Sequence, residues 1–190
     1  PRISYYDATD GDLQYARWNG VTWVLSTVHS NGVVGKDTSI AMDNSGYPHI
    51  IYRDAGTGAW REAYWKGNSW GFRVIDNLRE VGLSTSLALD NLDNPYITYF
   101  NDTTDDLKFA NGSTGTWVID VLNVGDSVGH YSSLAVNALG HPLAVYYDFS
   151  NGDMEYINIA TSEQATIRST GDVGLYPSIA LDGLGNPHVS

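Results

Sequence analysis

Residues 39–54 read Ser39-Ile40-Ala41-Met42-Asp43-Asn44-Ser45-Gly46-Tyr47-Pro48-His49-Ile50-Ile51-Tyr52-Arg53-Asp54, and versions of the stretch return along the chain. Pro48 has counterparts at Pro1, Pro95, Pro142 and Pro187, spaced 47, 47, 47 and 45 residues apart. Thirteen residues before each later proline stands a glycine (Gly35, Gly82, Gly129, Gly174), preceded by Val34, Val81, Val128 or Val173. Four residues after each glycine comes Ser39, Ser86, Ser133 or Ser178, and two further on Ala41, Ala88, Ala135 or Ala180. Tyr5, Tyr52, Tyr99 and Tyr146 follow the first four prolines at a constant offset. A period of this kind marks a repeat architecture.

Each unit reads as four short strands. Ser39–Asp43 alternates large apolar with small residues, as do Leu87/Leu89, Leu134/Val136 and Ile179/Leu181, which is the period-two signature of a strand. A turn closed by Pro48 leads to His49–Arg53, whose β-formers on both faces predict a strand covered on both sides. The Gly/Asp/Thr-rich segment Asp7-Ala8-Thr9-Asp10-Gly11 leads to a third strand, Leu13 to Trp18. The hairpin dipeptide Asn19-Gly20 leads to a fourth, opening at Trp23. Trp70 and Trp117 share the Trp23 position, while Gln164 replaces it in the last unit. No segment has helical periodicity.

Short antiparallel strands in units of 40–50 residues predict an all-β fold, a β-propeller of four-stranded blades, because one such sheet cannot cover its two apolar faces alone. A tandem β-sandwich is the alternative. The prediction is a single domain over residues 1–190, with units starting near 1, 48, 95 and 142. Residues 178–190 would supply the innermost strand of the first blade or of a partner chain. Pro187–Ser190 matches Pro1–Ser4 in register, so one ring cannot seat both copies in one strand. Either one copy frays and a four-bladed ring closes, or the chain makes half of a larger ring by self-association.

The quoted residues carry a resemblance. Ser39, Ala41, Asp43, Gly46, Pro48, His49, Ile50, Tyr52 and Asp54, with Gly11, Asp12, Leu13, Tyr15, Ala16, Trp18, Asn19, Gly20 and Trp23, resemble the tandem units S-x-A-x-D-x-x-G-x-P-H-I-x-Y-x-D, G-D-L-x-Y-A-x-W and N-G-x-x-W of secreted bacterial and archaeal repeat proteins. The resemblance implies a propeller that is secreted or at the cell surface, and no particular chemistry. The unit length also resembles that of propeller lectins, an analogy at the level of fold.

Composition narrows the function. The 190 residues hold 10 Lys+Arg against 22 Asp+Glu, a net charge of −12, which argues against nucleic acid, whose binding rests on cationic side chains. No apolar run approaches the roughly 18 residues that insert into a membrane. There is no cysteine, so disulfides, Cys-zinc sites and thiol nucleophiles are excluded together. The chain starts at Pro1 rather than Met, as a processed product or a piece of a longer protein would.

Three sets of residues are candidates for a site. The positions that vary after the repeated glycine (Lys36-Asp37, Leu83-Ser84, His130-Tyr131, Leu175-Tyr176) would ring one mouth of the channel. A constant frame with a varied rim is how a scaffold carries function, so Lys36, His130, Tyr131 and Tyr176 are the ligand candidates. Among the aromatics, repetition assigns Trp23, Trp70, Trp117 and the four tyrosines to inter-blade packing. Trp60, in a slot held elsewhere by Leu13, Leu107 and Met154, reads as a surface candidate for ligand contact, as do Trp18 and Trp65. Carboxylates in the turns between second and third strands (Asp10, Asp12, Asp105, Asp106, Asp153) offer the oxygen ligands that calcium takes. None forms an EF-hand loop, and turn chemistry explains them as well, since Asp accepts backbone N–H bonds in turns. No other cofactor is expected.

No nucleophile elbow, phosphate loop or dinucleotide fingerprint is present, and the five histidines show no metal spacing. The expectation is therefore a non-enzymatic extracellular propeller binding a glycan or a surface protein. The alternatives are a polysaccharide hydrolase or lyase using a rim carboxylate such as Asp106 or Asp153, and a purely structural module of a larger surface protein or filament.

Overall fold

The repeated glycine is where the fold is tightest. In the computed structural model, which describes residues 1–77, 84–123 and 127–190, Gly35 has φ 104° and a Cβ added to it would lie 2.7 Å from Leu13 Cα. Gly129 (φ 97°) stands in the same way against Leu107, and Gly174 (φ 100°) against Met154. Each glycine lets the entering strand of one sheet press on the third strand of the sheet before it, in a conformation side chains avoid. Val81, Gly82 and Leu83 lie outside the described residues.

Two compact units are present, Pro1–Arg79 and Glu80–Ser190. The first holds a three-stranded sheet, β1 (Arg2–Asp7), β2 (Asp12–Trp18) and β3 (Trp23–His29). It also holds a four-stranded sheet, β4 (Val34–Met42), β5 (Pro48–Asp54), β6 (Ala59–Trp65) and β7 (Trp70–Asp76). The second unit holds β8 (Thr85–Leu89), β9 (Pro95–Asn101), β10 (Asp106–Asn111) and β11 (Val118–Asn123), then β12 (Val128–Val136), β13 (Pro142–Asp148), β14 (Asp153–Asn158) and β15 (Glu163–Arg168). A two-stranded sheet of β16 (Ile179–Leu181) and β17 (Pro187–Val189) completes it. All neighbours pair antiparallel, in sequence order, and the first strands β4 and β12, at 9 residues each, are longer than the sequence pattern predicts.

Both copies of the proline-led strand are paired, Arg2–Asp7 with β2 and Pro187–Val189 with β16, so neither frays.

Stacking within each unit is the same event repeated. β4 packs on β1 and β2, β12 on β8, β9 and β10, and β16 on β12. Leu13, Tyr15 and Val28 of the first sheet bury against Val34, Ile50, Tyr52 and Ala63 of the second. In the other unit Tyr96, Leu107 and Phe109 meet Leu134, Ala144, Tyr146 and Ile157. Each large side chain so buried contributes roughly 1.5–3 kcal/mol. The predicted two-sided burial of the second strand holds for β5, β9 and β13 and fails for β1, which is the edge of a three-stranded sheet.

Three of the four tyrosines of the column, Tyr52, Tyr99 and Tyr146, are fully buried core, whereas Tyr5, on the edge strand β1, is half-buried. The tryptophan column is not core. Trp23 is 41 % exposed, and Trp70 and Trp117 are half-buried, because the fourth strand is the outer edge of each sheet.

Candidate functional site

Immediately after Gly35 and Gly129 the entering strand bulges. In β12 the pairing steps from Val128↔Asp148 to His130↔Tyr147 to Ser133↔Val145, and β4 skips in the same way from Val34↔Asp54 to Lys36↔Arg53 to Ser39↔Ile51. The residue two after the glycine is left-handed at all four positions, Asp37 (φ 53°), Ser84 (φ 64°), Tyr131 (φ 53°) and Tyr176 (φ 56°), and Asp37 and Tyr131 lie in the bulges of β4 and β12. A non-glycine residue in this region is uncommon, and bulges re-aim side chains at the rims of sheets. The strained position and the variable position of the repeat are thus the same.

In the second unit this device assembles an aromatic surface. The His130 ring lies 3.8 Å from that of Phe100 and 5.8 Å from that of Phe149, centroid to centroid. Tyr131 and Tyr176 approach to 4.1 Å with their planes tilted by 40°. Phe149 is 64 % and Tyr176 71 % exposed, so the surface faces solvent. His130 Nε2 is 3.1 Å from Ser127 Oγ; burial holds its pKa below the ordinary value, against the pull of Asp105. The Tyr147 hydroxyl donates to Asp172 Oδ1 at 2.5 Å, and this bond, with burial and the charges of Asp172, Asp148 and Asp153, pushes its pKa up to about 12.

Three of the four rim candidates, His130, Tyr131 and Tyr176, therefore meet. Phe100, Phe149, Tyr147 and Asp172 join them without having been singled out from the sequence. The available signal was the residue after the constant tyrosine (Tyr6, Arg53, Phe100, Tyr147), which varies and, at Arg53 and Tyr147, pairs across the bulge. In the first unit Lys36 Nζ lies 5.6 Å above the Tyr6 ring, and Asp37 Oδ2 accepts from Arg53 Nε at 2.9 Å.

Trp60 is a correction: it is fully buried and cannot present its ring to a ligand. Leu13 and Leu107, in the same repeat slot, are also fully buried, because this is the third-strand position on which an entering strand presses. A large residue there fills the core.

The acidic turns follow hydrogen-bonding chemistry. Asp7 Oδ1 accepts from Thr9 N at 2.9 Å, Asp54 Oδ1 from Gly56 N and Thr57 N at 3.1 Å, Asn101 Oδ1 from Thr103 N at 3.0 Å and Asp148 Oδ1 from Ser150 N at 2.9 Å. An asparagine serves at one of the four turns, and an amide oxygen accepts an N–H as well as a carboxylate does. Among the described residues no three His, Asp or Glu side chains form a group that could hold a metal ion. Asp10, Asp12, Asp105, Asp106 and Asp153 belong to no such group among the described residues.

No protein-family model matches the chain, and no curated protein matches it. Solved structures do. The chain is similar to SapL1 lectin in complex with alpha methyl fucoside (TM-score 0.66, 17 % identity, 94 % of this chain and 62 % of that one). It is similar to a chain of the nidogen/laminin complex (TM-score 0.60, 11 % identity, 96 % and 66 % covered). It is also similar to the Aleuria aurantia lectin N224Q mutant in complex with Fucalpha1-6GlcNAc (TM-score 0.57, 13 % identity, 99 % and 69 % covered). At these identities the likeness is one of fold: all-β, four-stranded antiparallel sheets of the β-propeller type. The chain spans under two thirds of the SapL1 chain and about two thirds of the nidogen/laminin one.

Proposed function

We propose that this chain is a non-enzymatic, extracellular β-propeller protein that binds carbohydrate through the aromatic rim of its second unit. The carrying observation is the pair Tyr131 and Tyr176, 4.1 Å apart, both on strained left-handed backbone, beside His130 and the exposed Phe149. Flat rings with polar tips suit the C–H face and hydroxyls of a sugar, and strain at a varied position is the mark of a site rather than of packing. The likeness in fold to two lectins supports this choice of ligand class. The family resemblance of the repeat supports an exported protein.

A glycan array and a cell-wall polysaccharide pull-down test the reading, with wild type beside Tyr176→Ala. Binding by wild type that falls about ten-fold or more in the variant, with an unchanged melting temperature, is expected. No binding by wild type on either platform overturns the reading. As for assembly, the pairing of both proline-led strands favours blades of a larger ring completed by a second copy over a closed four-bladed ring. Light scattering on the purified chain separates a monomer from a dimer.

A further inference from the structure

Arg2 and Arg17 face each other directly across β1 and β2. Like charges at opposed positions of a sheet repel, and this chain has only 10 Lys+Arg to place among 22 acids. The other described arginines of the first unit are neutralised: Arg53 by Asp37 and Arg61 by Asp54 at 2.9 Å, Arg73 by Glu62 at 2.8 Å. Among the described residues neither Arg2 nor Arg17 has a carboxylate partner.

The second sheet shows how the same face is closed elsewhere. Forty-seven residues on, Arg2, Tyr15, Arg17 and Ser26 become His49, Glu62, Tyr64 and Arg73. There Glu62, fully buried, takes His49 Nδ1 at 2.8 Å and Arg73 Nη2 at 3.1 Å, and the Arg73 guanidinium lies 4.6 Å over the Tyr64 ring. In the first sheet the glutamate's place is taken by Tyr15, so two cations stand without their anion. Both act on one group. Burial raises the Tyr15 pKa, while the charges of Arg2 and Arg17 pull it back.

Tyr15 lines a cleft of about 450 Å³ between the β1–β3 and β4–β7 sheets. Arg2, Arg17 and Tyr15 form one wall; Tyr47, Trp65 and Trp70 line the other. Trp70 meets Tyr15 edge-on at 5.8 Å and Trp65 at 5.3 Å. The volume suits a small ligand, within about 300–1,000 Å³. A cationic wall facing an aromatic wall calls for a ring with an apolar face and an oxyanion at its edge.

We propose that this cleft binds a uronic acid residue of an acidic polysaccharide, its carboxylate held by Arg2 and Arg17 and its ring face against Trp65 and Tyr47. The cleft lies at the opposite strand ends from the bulges of its own unit. It shares no residue with the aromatic rim, so either reading can fail alone.

Isothermal titration of the full chain tests the site with three probes: trigalacturonate, its fully methyl-esterified form, and a sulfated galacto-oligosaccharide of equal length. Expected is a Kd for trigalacturonate about ten-fold or more below that for the ester, since bonds to a charged group are the strong ones. It should weaken about ten-fold or more in Arg17→Gln and in Arg2→Gln, and less in Arg17→Lys, which keeps the charge without the planar fork. Equal affinity for acid and ester overturns the proposal, as does preference for the sulfated probe. Unchanged affinity in both glutamine variants overturns it too, and loss in Tyr176→Ala alone would move the ligand to the rim. Circular dichroism of each variant keeps misfolding from passing as lost binding.

Discussion

The Ser86 hydroxyl accepts a hydrogen bond from the backbone N–H of Leu134, 48 residues later, at 3.0 Å. Ser133 does the same for Ile179 at 3.2 Å. The repeated serine, which from the sequence is a small residue suited to a crowded first strand, is a clip between consecutive sheets. It supplies an acceptor to an N–H that the sheet's own ladder leaves free. Replacing Ser86 with alanine should cost about 1–3 kcal/mol, the price of orphaning a partly buried donor. Urea denaturation measures it; a loss below a few tenths of a kcal/mol would mean that water replaces the hydroxyl.

Gly129→Ala should be worse. The new Cβ would stand 2.3 Å from Leu107 Cβ, on a backbone at φ 97°. Overpacking alone costs about 1–3 kcal/mol, and the left-handed conformation adds to it. Gly46→Ala, where nothing lies within 4 Å of the added carbon, isolates the conformational part. Equal destabilisation of the two variants would remove steric contact as the cause.

Tyr52→Ala should cost about 3–5 kcal/mol, as truncation of a large core residue does. The ring is fully buried and its hydroxyl lies 2.8 Å from His29 Nδ1. A change below about 1 kcal/mol in chemical denaturation would contradict the buried column.

Acidification should destabilise the protein in a defined window. Burial, with the charge of Arg61, holds the His29 pKa below its ordinary value of about 6.5 despite Asp54 and Asp12, and burial lowers that of His130. The unfolded chain then binds more protons than the folded one once the pH drops toward 6.5. Stability is complete above that value and declines as the pH falls through it toward the folded pKa values. Denaturation midpoints between pH 7.5 and 5.5 should show the decline, and a shallower one in His29→Gln. An identical slope would exclude His29 as a source.

Without ligand, Arg17→Gln should raise the melting temperature slightly, by relieving repulsion from Arg2 across the strand pair. The gain should shrink in high salt, which screens the repulsion. A drop in stability would mean that the arginine stem packs for the fold.

Much of the fold was legible in the chain because strands declare themselves locally. The alternation around Ile40, the proline at each second-strand start and the Asn19-Gly20 turn all act over a few residues, and each lies where it was expected. The rim was legible in part: His130, Tyr131 and Tyr176 were readable because they vary where neighbours repeat. Phe149 carried no such mark, being the next residue of a turn. Trp60 misled because it departs from Leu13, Leu107 and Met154 in its repeat slot, a slot that is buried at Trp60, Leu13 and Leu107 whichever large side chain fills it.

The amino-acid order by itself determined the four-stranded unit, its period and the residues that must be small, because backbone geometry and the alternation of side chains are properties of a few consecutive residues. Only the tertiary structure decided which groups meet. Arg2 and Arg17 find each other through strand register, Ser86 reaches Leu134 through sheet stacking, and Tyr131 meets Tyr176, 45 residues later, where the next segment packs on β12. Those contacts depend on how neighbouring sheets pack, which the local sequence pattern does not specify.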